Sequence, residues 1–405
     1  MPARTSTRLA VLTVEVIVIG AFAATWVTKA KAISREFRAI NQNGSEYTRL
    51  PITRNEPLEI TSLYNRPDFI TDEELADVLR QIQPRFAIKE MKPNFVEHAL
   101  RTWGVQAVFR DPEVRSGKDL ARFLTDTASY VDSWGPSTSP LLQERTGGLS
   151  VRWGAEKGAS VHHDHWLASL TEAGATLDTP VFGPSRRSST LADVLHESLR
   201  DFRLDEKETE WTAMAFGMWL PPEGHWIGAD GRRYSFDLIA HRLIRGQKEI
   251  GVCSGTHRVF SLMVLVRLDD QFPNVLSDSV RDEAWTYLEQ VRDAIVTSQF
   301  EDGHWPSNWP DGADAVKTPV DDPLFKKVIA TGHHLEWLSI APKELHPPEE
   351  QIKKAFRWVI DTTKSQTPAE ILERYTFFSH VGAAAARWRQ THPAVYWKEW
   401  EAKHP

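Results

Sequence analysis

The single cysteine of the 405-residue chain, Cys253, precedes His257 by four residues in GVCSGTHRVFSLMVLVRL, residues 251–268. A thiol and an imidazole one helical turn apart share a face, and a second imidazole would complete the three protein ligands of a catalytic zinc. TGHHLEWLSIA (331–341) carries that imidazole, so the candidate metal set is Cys253, His257 and His333, and zinc is the one cofactor the residues suggest. His257, His334 and Glu336 are the candidate acids and bases. SVHHDHWLASLTEAG (160–174) adds His163, Asp164 and His165 as polar substrate contacts, with His162 and His165 spaced as a second ligand pair. Trp305 and Trp337 offer flat faces on which an isoprenoid or a sugar ring can lie.

Each of these residues has a plainer use. A histidine at a helix start commonly caps it, a single cysteine packs as a small apolar group, and Glu336 can be satisfied within its own helix. Trp305 and Trp337 can simply fill space between helices. Recurrence favours chemistry, because His98, His162 to His165, Cys253 with His257, His333 with His334, and His380 stand near the starts of successive apolar segments. The third such segment brings Glu208 and Glu210. If the segments run in one direction around a common axis, these groups gather at one mouth.

The elements that must position them come in pairs, each a charged amphipathic helix followed by a more apolar one. The pairs are 71–82 with 94–104, 117–134 with 160–174, 190–202 with 209–220, 234–246 with 251–268, 279–300 with 327–341, and 349–363 with 369–389. Thr71 and Glu74 form a capping-box pattern, and Gly174 is placed to stop a helix. Asn-Gly turns and alternating strand patterns are scarce. Polar-faced helices alternating with apolar ones imply an outer layer around an inner one, hence an all-α fold of six hairpins, an (α/α)6 toroid, over 71–405. An open helical solenoid is the structural alternative.

Ahead of this domain, LAVLTVEVIVIGAFAATWV (9–27) is long enough to cross a bilayer. Residues 1–30 read as a single-pass membrane anchor or a signal peptide; the anchor is favoured because the apolar run continues past Ala21-Phe22-Ala23 to Val27. Residues 31–70 read as linker and lead-in, and the expected location is a membrane, with the body outside the cytoplasm and lipid as the partner of the span. A net charge of −7 with no basic stripe excludes a general nucleic-acid binder. One cysteine excludes an internal disulfide, and 41% hydrophobic with 25% charged residues is a globular composition.

Gln299-Phe-Glu-Asp-Gly303-His-Trp305 resembles the Q-x-x-x-G-x-W motif of the terpenoid cyclase and protein prenyltransferase toroid superfamily, and Gly224-His225-Trp226 repeats its second half. The resemblance covers about residues 70–390 and implies the toroid, with the motif tying neighbouring hairpins. It does not carry the family's chemistry across. The Asp-x-Asp-Asp acid of squalene-type cyclases is missing, and Gly251 stands where the prenyltransferase zinc pattern has Asp. His-His-Leu-Glu-Trp at 333–337 is similar to helices of the N-acylglucosamine-type sugar epimerases, which share the (α/α)6 barrel. Together these imply an enzyme acting on an isoprenoid, lipid-like or sugar substrate in a histidine-rimmed cavity. The alternative is a non-catalytic, membrane-held scaffold for a glycan, lipid or peptide.

Overall fold

Asp72–Gln81 forms helix α1 because its first turn is closed from both sides. The Thr71 hydroxyl accepts from the Glu74 amide at 3.2 Å, while the Glu74 carboxylate takes the Thr71 amide at 2.9 Å. Among the described residues fifteen further α-helices follow: α2 (Pro93–Trp103), α3 (Gly117–Thr125), α4 (Thr127–Trp134), α5 (His165–Glu172), α6 (Leu191–Asp201), α7 (Glu210–Trp219) and α8 (Phe236–Ile244), then α9 (Thr256–Gln271), α10 (Asp278–Ser298), α11 (Ala313–Lys317), α12 (Leu324–Leu338), α13 (Glu349–Ser365), α14 (Pro368–Glu373), α15 (Tyr375–Trp388) and α16 (Pro393–Lys403). The computed structural model describes residues 52, 54–206, 208–246 and 253–404. The apolar segment 9–27 and most of the lead-in lie outside them, and no helix among the described residues is long and apolar enough to cross a membrane.

The protein is mostly helical, in two layers. Helices α2, α5, α7, α9, α12 and α15 each pack against the next, and α15 packs back on α2. Their apolar composition is the cause: every residue of α7 is buried, as are thirteen consecutive or nearly consecutive positions of α9 from Thr256 to Asp269. Helices α1, α6, α10 and α13 bury one stripe only, such as Ile352, Ala355, Phe356, Val359 and Ile360 of α13, and lie outside. Each fully buried Leu, Ile or Phe on those stripes contributes roughly 1.5–3 kcal/mol.

Several expected helices are shorter or divided. Residues 117–134 break at Asp126, whose backbone turns extended and whose carboxylate caps α4 by accepting from the Ala128 amide at 2.9 Å. The break admits Phe182, which exchanges backbone hydrogen bonds with Thr125 and Thr127 at 2.7 and 3.0 Å. Residues 160–164 are not helical: Asp164 is left-handed at φ +56°, so α5 begins at His165. The last expected helix divides at Arg374. Three short antiparallel hairpins occupy loops where little strand was expected: β1 (Leu142–Glu144) with β2 (Leu149–Val151), β3 (Pro180–Val181) with β4 (Ser189–Thr190), and β5 (His225–Ile227) with β6 (Arg233–Ser235). β2, β4 and β5 all lean on α6.

The lead-in is a strap. Arg54 Nη1 donates to Trp219 O, and the amides of Leu58, Leu63 and Arg66 donate to Met218, Ser339 and Trp388 carbonyls at 2.8–3.0 Å. These are the C-terminal ends of α7, α12 and α15, whose last carbonyls have no partner within the helix.

Glu74 also bonds Arg357 of α13, which joins the first outer helix to the last. The Arg357 hydrogen bond, working against burial, holds the Glu74 carboxyl down at about 2. A depressed folded value gives stability that is present above the ordinary carboxylate range and lost as pH falls towards 2. Glu74→Gln should therefore cost about 1 kcal/mol in urea unfolding at pH 7, a modest figure because solvent screens the pair. The two proteins should converge only as pH falls through about 2, and a cost at that pH equal to the cost at pH 7 would refute the assignment.

Candidate functional site

Six aromatic side chains, one from each inner helix, close a ring on the common axis. In order they are His98 (α2), His165 (α5), Trp211 (α7), His257 (α9), His333 (α12) and His380 (α15). Successive ring centroids are 4.7, 4.0, 4.2, 4.3 and 3.7 Å apart, and His380 returns to His98 at 5.1 Å. All six are buried. His165, Trp211 and His257 sit in the first turn of their helices, whereas His98, His333 and His380 sit further along theirs. The expected gathering at helix starts is thus a layer inside the ring of helices, because α2, α12 and α15 extend past it.

Below the layer lies a charged one. Arg101 of α2 pairs with Glu172 of α5 and reaches Glu336 of α12 at 3.0 Å. Glu336 Oε2 accepts from His333 Nδ1 at 3.1 Å, and His380 Nδ1 lies 3.0 Å from both Glu336 Oε2 and the Arg101 guanidinium. Burial pushes the Glu336 carboxyl up, but Arg101 and the two imidazoles outweigh it and hold it well below the usual range. A guanidinium flanked by two carboxylates is what keeps such a cluster from being an uncompensated buried charge.

The imidazoles are neutral. Desolvation drives His98, His165 and His257 well below their ordinary value and takes His380 to about 3. His98 Nδ1 is engaged with Asn94 O at 2.8 Å, which leaves Nε2 as the lone-pair nitrogen. Among the described residues the Nε2 atoms of His98, His333 and His380 and both nitrogens of His257 make no hydrogen bond. His165 Nδ1 lies 2.8 Å from Glu97 Oε2 in poor alignment for one. Burial pushes the Glu97 carboxyl up to about 8 against the opposing pull of Ser160 and His162.

Cys253 stands above the layer, and donor atoms of Cys253, His257 and His333 lie within 4.8 Å of one another. The structure thus brings together the three residues named from the sequence. Burial pushes the thiol up to about 12. His333, Glu336 and His380 form a second close group, but its short separations are the two imidazole contacts with Glu336 Oε2.

The other candidates are distributed differently. His334 faces outward between Trp305 and Trp309, with ring centroids 5.3 and 4.7 Å away, and its Nδ1 accepts from Trp337 Nε1 at 3.0 Å. Trp305 and Trp337 are fully buried in that packing. Asp164 accepts from Ser198 and, at 2.7 Å, from Thr212, tying α5 to α6 and α7. His163 Nδ1 lies 3.4 Å from Asp164 and 3.3 Å from Glu206. His163 and Asp164 line a cavity of about 220 Å³ together with Ser160, His162, Arg152 and Trp153. His162 stands between this cavity and the axis, its ring 5.8 Å from that of His165.

Glu97, Arg101, Glu172 and Trp211 were not singled out in the sequence. Glu97, His98 and Arg101 did carry a signal, as three polar residues on one turn of a helix that is otherwise buried on every side. Trp211 carried none, because a tryptophan in an apolar helix reads as core. Comparison with protein-family models, curated proteins and solved structures finds no match to this chain.

Proposed function

We propose that the chain is an (α/α)6 toroid enzyme whose reaction centre is the axial histidine layer, and that it transfers protons on a small hydroxylated substrate of the sugar class. The closed contact order of the six inner helices supports the toroid, as does the position of Gln299, Gly303 and Trp305 between α10, α12 and α13. The observation that carries the enzyme reading is the layer itself. Five neutral imidazoles with idle nitrogens, next to Glu97 and above Glu336, are costly to bury, by about 1–3 kcal/mol for each unpaired group. A scaffold would have no use for them.

Sugar is favoured over isoprenoid by the filling of the axis and by the polar cavity whose wall residue His162 has its ring 5.8 Å from that of His165. Imidazoles, an indole and the Arg101 cluster occupy the space a long apolar chain would need. The cavity beside His162 is instead polar, and Trp153, 55% exposed, stands at its wall as a face for a sugar ring. Glu97 and His165 are the acid and base, a touching pair whose environments favour the protonated carboxyl and the free imidazole.

The test is exchange of solvent deuterium into a panel of aldoses, ketoses and N-acyl amino sugars, followed by NMR. Exchange at the carbon next to the carbonyl is expected, falling about a hundredfold or more in Glu97→Gln. Trp153→Ala should raise KM more than it lowers kcat. Folded protein that exchanges no member of the panel would overturn the reading.

A further inference from the structure

The geometry points to a metal site on the axis: Cys253 Sγ, His257 and His333 Nε2 bind one divalent transition metal of the zinc class, with the fourth position open. The inference deepens the proposed function, whose reaction centre such an ion would serve, but it rests on its own observations.

Three potential donors from two inner helices and the loop leading into α9 converge within 4.8 Å. Tetrahedral zinc with metal–nitrogen near 2.0 Å and metal–sulfur near 2.3 Å sets its ligand atoms roughly 3.3–3.8 Å apart, so a small contraction closes the site. A thiolate with two imidazoles suits zinc or cobalt over magnesium or calcium, which take oxygen ligands. Burial and idle lone pairs provide the second observation. His257 and His333 are 0% exposed, and among the described residues neither nitrogen of His257 nor Nε2 of His333 has a hydrogen-bond partner.

Orientation is already supplied. His333 gives its Nδ1–H to Glu336 at 3.1 Å, which fixes the tautomer with the Nε2 lone pair free. Glu336 is in turn held 3.0 Å from Arg101. A carboxylate behind a ligating histidine is the usual outer support of a metal site. Three protein ligands and one open position are the arrangement of catalytic rather than structural zinc.

The experiment loads the purified full chain with Co²⁺ and with Zn²⁺, reading metal stoichiometry by mass spectrometry and the cobalt spectrum optically. One tightly held equivalent is expected, with a near-ultraviolet thiolate-to-cobalt band that a site without Cys253 cannot give. Cys253→Ser should remove the band, and His257→Ala or His333→Gln should remove the bound equivalent, while circular dichroism confirms that each variant is helical. Should a variant fail to fold, the band in the unaltered protein decides alone. Folded protein that binds no metal, or binds it without a thiolate band, overturns the site. The two readings fail separately. Metal-free protein that still exchanges deuterium removes the metal and keeps the enzyme, whereas one bound cobalt with no exchange keeps the metal and removes the proposed reaction.

Discussion

Arg101→Met should lower the free energy of unfolding by about 3–5 kcal/mol, the largest loss expected from one side chain in this protein. The methionine fills much of the same volume, so the loss comes from charge. Arg101 is the cation between Glu172 and Glu336, and all three side chains are 3% exposed or less. Without it, two carboxylates remain in a low-dielectric centre. Arg387, 3.5 Å from Glu172, can relieve only one of them. The remedy follows from the same argument. Adding Glu336→Gln to Arg101→Met should recover part of the loss, because the amide needs no counter-charge. Urea unfolding of the single and double variants gives the coupling directly. An Arg101→Met protein within about 1 kcal/mol of the parent, or a double variant that simply adds two losses, would mean that the cluster is not the electrostatic keystone of the axis.

That cluster also marks where sequence reading stops. The alternation of helices was legible because the inner segments are apolar over two turns or more and the outer ones keep a polar face, even where 117–134 divides and 160–164 stays outside the helix. The start of helix α1 could be placed from Thr71 and Glu74 alone. Boundaries failed where tertiary contact overrode local pattern. Asp126 reads as an ordinary polar position of a helix until Phe182 is seen hydrogen-bonded to the backbone on either side of it. In the same way, Cys253, His257 and His333 were legible as one ligand set because donor chemistry and spacing both recommended them. The pairing of Arg101 with Glu172 and Glu336 was not, since it joins residues 71 and 235 positions apart across three different helices. His334 and His333 are neighbours of identical type, and only the phase of α12 sends one to the axis and the other to Trp305 and Trp309.

Gly303→Ala is the second large effect, expected at about 3–4 kcal/mol. The residue has φ +105°, where an L side chain is strained by roughly 1–3 kcal/mol. A β-carbon there would also meet Lys354 O at 2.4 Å, and that atom is backbone of α13 and cannot rotate away. The turn must move off the helix, and the ties it makes go with it. Gln299 Nε2 bonds Gly303 O and Gln351 O at 2.9 and 2.8 Å, while Trp305 donates to Ile295 O at 2.8 Å and its amide bonds Thr331 at 2.9 Å. Three helices, α10, α12 and α13, would lose contact with one another through one added methyl group. Gly231 separates the two causes, since it has φ +75° and open space around its missing side chain, so Gly231→Ala should cost only about 1 kcal/mol. Thermal unfolding of the two variants side by side measures the difference. If Gly303→Ala is no worse than Gly231→Ala, the close approach to α13 is not rigid and the motif is not the tie between hairpins. If it is worse, the fraction that remains folded should bind cobalt as the parent does, because the turn touches the axis only through α12.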